Sequence, residues 1–212
     1  MHRTRSEIPK TWPVPRKGTK YLIAPSHGFS KGIPVLLALR DMLKVVQKRK
    51  EAKLIINQGK VLVNGNKIRD ENYSMVLFDT LTLEGKSYRL TLDNKKFSLD
   101  EISGKEAEEK IVKIISQKLM NKGKIQINLS DGRNFISSEK LKVGDSVVYD
   151  LKQKKSKKTI ALKTGSKVFS IKGKHLGNEG TVESIDDESK IAVVKFDKEK
   201  ANVELNNLMA LN

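Results

Sequence analysis

The stretch VLLALRDMLKVVQKRKEAKLIINQGKVLVNGNKIR, from Val35 to Arg69, is the most informative part of this chain. Its pattern predicts a short helix, a basic turn, a second short helix and a β-hairpin, in that order. Such a unit is too small to serve only as an independent structural domain, and basic residues lie wherever its elements meet. This combination indicates a small docking module for a polyanion.

The first helix is predicted from Val35 to Val46, because apolar residues recur there at the three-four spacing of one buried face. Arg40 and Lys44 are four residues apart, and we expect them to share the opposite face. The second helix is predicted roughly from Glu51 to Gln58, after a turn that holds Lys48–Lys50.

This second helix is expected to bury Leu54 and Ile55, and Gly59 suits the left-handed position that follows a helix end. Beyond it, Val61 and Val63 alternate with Lys60 and Leu62, as in a strand. The dipeptide Asn64–Gly65 is the strongest two-residue hairpin signal. The four pieces together form a helix-helix-hairpin module.

The module resembles the small RNA-binding domain named after the fourth protein of the bacterial small ribosomal subunit. A basic arm, this module, a β-rich middle and a KOW-type end follow one another here, as in the archaeal and eukaryotic small-subunit ribosomal proteins of the S-four-e family. The most family-like stretches are 50–53, 58–65 and 173–182. The length, without a long basic C-terminal extension, resembles that of archaeal members.

We therefore predict a multi-domain α+β chain. Its expected parts are an extended basic arm (1–34), the small RNA-binding module (35–92), a β-rich central domain (93–164) and an SH3-like KOW barrel (165–212). The apolar content of 37% and the aromatic content of 5% favour several small cores over one large one.

Charge is unevenly distributed along the 212 residues, whose formal net charge is +17. Residues 1–60 contain 14 basic and 3 acidic residues, and residues 111–164 contain 13 and 4. Residues 61–110 and 165–212 are close to neutral. Because a uniform solubility coat would not cluster in this way, the two basic regions predict contacts with a polyanion such as rRNA.

All five prolines lie within residues 1–34, which also carry seven basic residues and a single acid, Glu7. This composition predicts an extended arm that orders on its partner. Aromatic residues interleave with the basic ones and can stack on unpaired bases. For Trp12 we favour the other interpretation, in which a lone large aromatic side chain pins the arm to the folded body.

In the middle of the chain, Met75–Leu83 and Tyr88–Leu92 alternate as strands. Ser103 and Glu106 form a capping-box pattern that predicts a short helix through Ile111. Periodicity alone would extend that helix to about Met120, whereas the family resemblance implies a strand from about Lys113.

Further along, a hairpin turn is predicted at Asn121–Gly123 and a strand at Val143–Tyr149. Lys152–Lys158 is expected to form a basic loop. The KOW-like pattern places a glycine-containing loop at Lys172–Gly180, where the glycines allow positive φ and close backbone approach.

No catalytic, metal or cofactor site is predicted. The chain has no cysteine, and its three histidines lie far apart in the sequence, without metal-ligand spacing. Gly85-Lys86-Ser87 fails as a phosphate loop because position 80 is Thr80 instead of glycine. There is no long apolar run for a membrane span and no apolar N-terminal signal core, so a cytoplasmic location within the ribosome is expected.

The expected function is structural, with small-subunit rRNA and neighbouring ribosomal proteins as partners, and without enzyme activity or a small-molecule substrate. The alternative is a KOW-containing transcription or translation factor that binds nucleic acid transiently. The residues predicted to contact RNA are Arg3, Arg5, Arg16, Lys17, Lys31, Arg40, Lys44, Lys48, Arg49, Lys50, Lys53, Lys60, Lys67, Arg69, Lys172, Lys174 and His175.

Overall fold

The computed structural model describes residues 2–120, 123–137, 139–197 and 199–211. Over these ranges the chain is mostly β, and its helical segments are short. It divides into two compact units, residues 1–108 and 109–212. The helical share of the predicted α+β fold is therefore smaller than the sequence pattern suggested.

Short strands hold the N-terminal segment within the first unit. β1 (His2–Thr4) pairs with β2 (Tyr21–Ile23), and β3 (Gly32–Pro34) pairs with β6 (Ser74–Val76). Trp12 is 2% exposed, and its indole N–H donates a hydrogen bond of 3.1 Å to the carbonyl oxygen of Gly32. The interpretation that Trp12 packs is confirmed, and the segment contains regular pairings that its prolines did not predict.

The first predicted helix is shorter than expected. α1 (Val35–Leu37) continues as a π-helical turn over Ala38–Met42, and Lys44 has a left-handed φ of 55°. The prediction of a helix to Val46 is wrong, because the backbone turns back at Lys44. Arg40 and Lys44 consequently do not share a helix face.

The second helix, α2 (Arg49–Asn57), begins earlier than predicted. Arg49 and Lys50 form its first turn and do not belong to the preceding loop. Its buried residues are Ala52 and Ile56, whereas Leu54 is 60% exposed and Ile55 is half-buried. The expectation that Leu54 is buried is wrong, because the face that packs is the one defined by residues 52 and 56.

A five-stranded antiparallel sheet follows, in the order β5-β4-β7-β8-β9. Its strands are β4 (Val61–Val63), β5 (Asn66–Lys67), β7 (Thr80–Leu83), β8 (Lys86–Asp93) and β9 (Lys96–Ile102). Asn64 and Gly65 have φ values of 52° and 75°, as a tight two-residue hairpin requires. The predicted hairpin is confirmed.

The predicted strand Met75–Leu83 is interrupted by a turn between β6 and β7. Asp79 holds this turn, since one carboxylate oxygen accepts the Val76 N–H at 2.7 Å and the other accepts the Asn64 amide at 2.7 Å. Phe78 lies in the turn with a φ of 64°. The buried Asn64 thus ties the hairpin to the next strand.

The predicted capping box is present, but the helix after it is not. Ser103 and Glu106 exchange backbone-to-side-chain hydrogen bonds of 3.2 and 3.4 Å, and only a 3-10 turn (Glu106–Glu108) follows. β10 (Glu109–Leu119) starts directly afterwards. The prediction of helix through Ile111 is wrong, because the β-branched residues after Lys110 favour a strand that pairs with β13 (Ser146–Asp150).

In the second unit, a central antiparallel sheet has the order β12-β11-β10-β13-β14. The added strands are β11 (Ile125–Leu129), β12 (Asn134–Ser137), β13 (Ser146–Asp150) and β14 (Lys155–Ile160). The strand predicted at Val143–Tyr149 therefore starts later, and the predicted loop Lys152–Lys158 is partly strand β14. The predicted turn Asn121–Gly123 falls partly outside the described residues, since 121 and 122 are not described.

A second antiparallel sheet in this unit has the order β18-β17-β16-β15-β19. It comprises β15 (Lys167–Ser170), β16 (Glu179–Asp186), β17 (Ile191–Phe196), β18 (Lys200–Glu204) and β19 (Leu208–Ala210). Its core contains Val168, Val182, Ala192, Val194, Phe196, Val203 and Leu208. Gly180 permits close approach of β16 to β17, because a Cβ there would lie 2.7 Å from the Lys195 carbonyl oxygen.

Lys113 of β10 connects the two sheets of the second unit. Its ammonium group donates hydrogen bonds of 2.6 Å to the carbonyl oxygens of Leu205 and Leu208. The residue is only 6% exposed, and burial lowers the pKa of its ammonium group to about 8. A basic residue that the sequence would place on a solvated face is therefore part of the interior.

Candidate nucleic-acid interface

The start of α2 is fixed by an acidic residue inside the most basic part of the module. The Glu51 carboxylate accepts the backbone N–H groups of Gln47 at 2.9 Å and Lys48 at 3.2 Å. These hydrogen bonds lower the pKa of Glu51, so the carboxylate is charged at neutral pH. It serves as a helix cap through these backbone bonds, while Lys48 interacts with its charge without forming an ion pair.

Arg49 anchors the beginning of α2 to a distant segment. Its guanidinium Nη2 lies 2.6 Å from Oε1 of Glu71, whose side chain is 8% exposed. Burial alone would raise the pKa of Glu71, but the Arg49 hydrogen bond and a backbone N–H lower it further than burial raises it. Arg49 thus positions the start of α2, and the outer edge of its guanidinium stays exposed.

Other cations of the module stay exposed. Among the described residues, none of the following side chains forms an ion pair: Lys44, Lys48, Lys50, Lys53, Lys67 and Arg69. Lys50 and Lys53 are three positions apart on α2, so they project from neighbouring parts of the helix surface. Leu54 is exposed beside Lys53 on the same helix.

The hairpin brings further positive charge to the end of α2. A Cβ placed on Gly59 would lie 3.6 Å from Cδ, Cε and Nζ of Lys67, so the Lys67 side chain runs across this glycine. A cation near the carboxyl end of a helix is favourable because the helix dipole is negative there. The hairpin therefore adds a cation at the carboxyl end of α2.

Besides Arg49, two more predicted RNA-contacting residues of the module are already paired within the protein. Lys60 lies 3.0 Å from the Glu84 carboxylate, and the half-buried Arg40 lies 2.8 Å from that of Asp41. These pairs reduce the positive charge that Lys60 and Arg40 present to a ligand. The basic surface is defined by the six unpaired cations named above and by the exposed edge of Arg49.

The arm residues also differ in their surroundings. Arg3 lies 3.7 Å from Glu7 and places its guanidinium 5.5 Å from the centre of the Phe29 ring. Arg5 is half-buried and bonds to backbone oxygens of the arm. Arg16, Lys17 and Lys31 are exposed, with no ion pair among the described residues.

The KOW-like loop presents less free charge than its sequence suggested. His175 is 8% exposed, and its ring stacks on Phe196 with 4.7 Å between ring centres. Its Nδ1 lies 3.5 Å from Glu199, which also lies 3.8 Å from the Lys174 ammonium. His175 is therefore buried against strand β17 of the last sheet. Lys172 and Lys174 are the accessible cations of the loop.

A further basic feature lies in the predicted basic loop Lys152–Lys158, whose lysines were not among the residues predicted to contact RNA. Strand β14 is an edge strand whose residues are exposed up to Thr159, and Lys155 and Lys158 form no ion pair among the described residues. Lys157 instead bridges Glu109 at 2.8 Å and Asp150 at 3.0 Å. The excess of basic residues in 111–164 was the available signal, but only the strand pairing shows which lysines are free.

Metal and membrane features are not found in the described part of the chain. Its histidine, aspartate and glutamate side chains form no cluster of three or more that would hold a metal ion. No helix there is long and apolar enough to span a bilayer.

Comparison with known proteins gives two family matches. The model of the ribosomal family S4e matches residues 84–156, and that of the S4 domain matches residues 41–75. The S4-domain match covers α2 and the hairpin, where the unpaired cations lie.

Several archaeal proteins named small ribosomal subunit protein eS4 are similar over most of the chain. That of Methanocella arvoryzae is 36% identical over 190 residues, covering 87% of this chain and 80% of the relative. That of Nanoarchaeum equitans is 36% identical over 191 residues, covering 87% and 82%. That of Pyrobaculum aerophilum is 34% identical over 227 aligned residues, covering 100% and 95%.

A solved structure is similar in fold as well. The 30S ribosomal protein S4e from Thermoplasma acidophilum matches with a TM-score of 0.75 at 25% sequence identity. The match covers 86% of this chain and 95% of that protein. Sequence and fold comparisons thus agree over both compact units.

Proposed function

This chain belongs to the ribosomal family S4e, and from that premise we propose that it is a structural constituent of the small ribosomal subunit that binds folded small-subunit rRNA. The observation that carries the proposal is the S4-domain segment, residues 41–75, with its unpaired exposed cations. Membership of a family of ribosomal proteins also agrees with the expectation that the chain is not an enzyme. Its place of action is the ribosome in the cytoplasm.

The binding mechanism is electrostatic. Lys48 at the start of α2, Lys50 and Lys53 within it, Lys67 in the hairpin and Arg69 beyond it contact phosphate groups and release the counterions condensed on the RNA. The shape and phosphate spacing of folded RNA dominate over recognition of base edges. Arg49, Lys60 and Arg40 contribute mainly by holding this surface in place through their ion pairs with Glu71, Glu84 and Asp41.

The domain organisation that we propose keeps the four parts expected from the sequence, with one changed boundary. β9 pairs with β8 over its whole length, from Lys96 to Ile102, so the module extends beyond residue 92. The central sheet and the last sheet each enclose a hydrophobic core of their own. These separate cores support a β-rich central domain that is followed by a small terminal domain.

We propose that the last sheet is the KOW-type barrel. Five antiparallel strands around a common core and the loop with Gly173 and Gly177, whose φ values are 89° and 85°, support this assignment. Its exposed acidic residues, among them Asp187 and Glu188, suit contact with a basic neighbouring ribosomal protein better than contact with RNA.

The test is incorporation into small ribosomal subunits. Tagged protein expressed in an archaeal host should cosediment with small subunits through a high-salt wash, whereas a transient factor would be released. Replacing Lys50 and Lys53 with glutamate should reduce the cosedimenting fraction. The matched control replaces Lys95 and Lys96, two exposed lysines of the β8–β9 hairpin, in the same way. Loss of wild-type protein in the wash would contradict the proposal.

A further inference from the structure

A cleft outside the S4-domain segment lies between the start and the middle of the arm. Its cavity volume is about 470 Å³, and it is lined by Thr4, Arg5 and Ser6 and by the loop Arg16–Lys20. This volume is in the range of about 300–1,000 Å³ that is usual for ligand sites. The cleft is open to solvent.

Arg5 builds one wall of this cleft. Its guanidinium donates hydrogen bonds to the carbonyl oxygens of Pro15 and Thr19 and, at 3.2 Å, to the Thr19 hydroxyl. Gly18 makes room for it, because a Cβ at that position would lie 2.7 Å from the Arg5 Nη2 and because its φ is +144°. A guanidinium has five N–H donors, and these bonds use three of them.

The cleft is strongly positive. Four of its eight lining residues are basic (Arg5, Arg16, Lys17 and Lys20), and none is acidic. Arg16, Lys17 and Lys20 are exposed and form no ion pair among the described residues. A small anion with several oxygen acceptors, such as a phosphate group, fits this arrangement.

An aromatic surface adjoins the positive cleft. Tyr21 is directly opposite the cleft residue Thr4 in the β1–β2 pairing, so both side chains project from the same face. Its ring is half-exposed, with 50% of the residue accessible, and the edge-on His2 ring lies 5.1 Å away. The Lys20 ammonium lies 5.4 Å from the centre of the Tyr21 ring.

We propose that this cleft is a binding site for single-stranded RNA, which places a backbone phosphate among the four basic residues and stacks the adjacent base on Tyr21. Phosphate-binding cations next to an exposed aromatic ring are the combination that recognises unpaired nucleotides. The site rests on the proposed rRNA-binding function and deepens it. In this proposal the arm contacts single-stranded RNA, whereas α2 contacts phosphate groups of folded RNA.

The experiment measures binding of the full chain to a labelled oligouridylate of about ten nucleotides, within the usual range of single-strand site sizes. Tyr21→Leu should raise the dissociation constant about 5- to 150-fold, because one stacked base is lost. Tyr21→Phe keeps the ring and should bind like the wild type. Arg16→Ala combined with Lys17→Ala should lower the log–log salt slope by about 1.4, or about 0.7 for each lost contact.

Photocrosslinking of the wild type to 4-thiouridine RNA gives a second measurement that does not depend on the stability of a variant. The crosslinked peptide should contain Tyr21 or the loop 16–20. Wild-type protein that fails to bind the oligonucleotide, Tyr21→Leu that binds it normally, or crosslinks elsewhere would each overturn the site. The rRNA-binding function fails separately, if glutamate at positions 50 and 53 leaves incorporation into subunits unchanged.

Discussion

The ammonium group of Lys110 lies 3.0 Å from Oδ2 of Asp131, and the two side chains are only 1% and 4% exposed. Asp131 also accepts the backbone N–H of Arg133 at 3.0 Å through its other oxygen. The pair joins β10 to the turn between β11 and β12 in the second unit. A lysine that adds to the net charge of +17 is therefore removed from any RNA-binding surface.

Removing one partner of this buried pair should strongly destabilise the protein. Lys110→Ala leaves the buried Asp131 carboxylate with only the Arg133 guanidinium, whose Nε lies 3.6 Å away, so we expect a loss of up to about 3–5 kcal/mol in the free energy of unfolding. Urea denaturation measures the loss as a lower midpoint. The control is Lys200→Ala, which breaks the exposed pair with Glu183 and should cost about 0–1 kcal/mol. Equal effects of the two substitutions would contradict the buried pair.

Lys113 should give the second unit a characteristic pH dependence. Burial lowers the pKa of this ammonium group from 10.5 to about 8 in the folded protein. Between these two values the unfolded chain binds more protons than the folded chain, so the contribution of Lys113 to stability rises with pH. Below about pH 8 the group is protonated in both states, and its contribution is constant.

The measurement compares the wild type with Lys113→Gln by urea denaturation at several pH values. The difference in unfolding free energy should shift in favour of the wild type between about pH 8 and pH 10.5, by up to about 3 kcal/mol. Other lysines titrate in both proteins and cancel in the difference. A difference that is flat over this interval, or one that changes in the opposite direction, would show that Lys113 is not buried as a cation.

Local chemistry predicted some elements well. The Asn64–Gly65 hairpin and the Ser103–Glu106 capping box depend on residues close in sequence, and both are present. The helix expected through Ile111 failed, because apolar residues at 111, 112, 114 and 115 fit either a helix or a strand. Pairing with β13, more than 30 residues further along the chain, decides for the strand.

The candidate interface was predictable in its location and not in its details. Charge clustering indicates the module, but Arg49 meets Glu71 only after the chain has folded, 22 residues apart in sequence. The exposure of Leu54 likewise depends on which helix face packs against the rest of the module. The positive cleft at Arg5 needs residues 4–6 and 16–20 together, which no local pattern shows.

The arm should be anchored near Trp12 in the free protein. This is the only tryptophan in the chain, so its fluorescence reports on this position alone. Because the indole is 2% exposed, emission should be blue-shifted and weakly quenched by iodide without RNA. Trp12→Phe serves as the blank. Emission typical of a water-exposed indole would show instead that the whole arm becomes ordered only on its partner.

The lysines at the start of α2 and in its first turns should account for a measurable part of the salt dependence of RNA binding. Replacing Lys48, Lys50 and Lys53 with alanine should lower the log–log slope for small-subunit rRNA by about 0.9 per contact at duplex sites. Lys95, Lys96 and Lys105, exposed residues of the same unit, provide a control with equal charge loss. If both triple variants lower the slope equally, only total charge matters and the module is not the binding surface.

The KOW-like loop should contribute less to rRNA affinity than α2 does. Residues 165–212 carry 7 basic and 8 acidic residues, and Glu199 lies close to both Lys174 and His175. Coulombic attraction to phosphate depends on the positive charge presented, so this region has little net attraction. Deleting residues 165–212 would be a poor test, since Lys113 would lose the carbonyl oxygens of Leu205 and Leu208. We therefore compare point variants.

Lys172→Ala with Lys174→Ala should weaken binding less than Lys50→Ala with Lys53→Ala, although each variant removes two positive charges. Filter binding to small-subunit rRNA at two salt concentrations measures both the affinity and its salt dependence. The gap between the two variants should narrow at higher salt, because screening weakens phosphate contacts first. If the loop variant loses more affinity than the α2 variant, the net charge of a region does not predict its RNA affinity. The C-terminal sheet is then the principal RNA-binding surface.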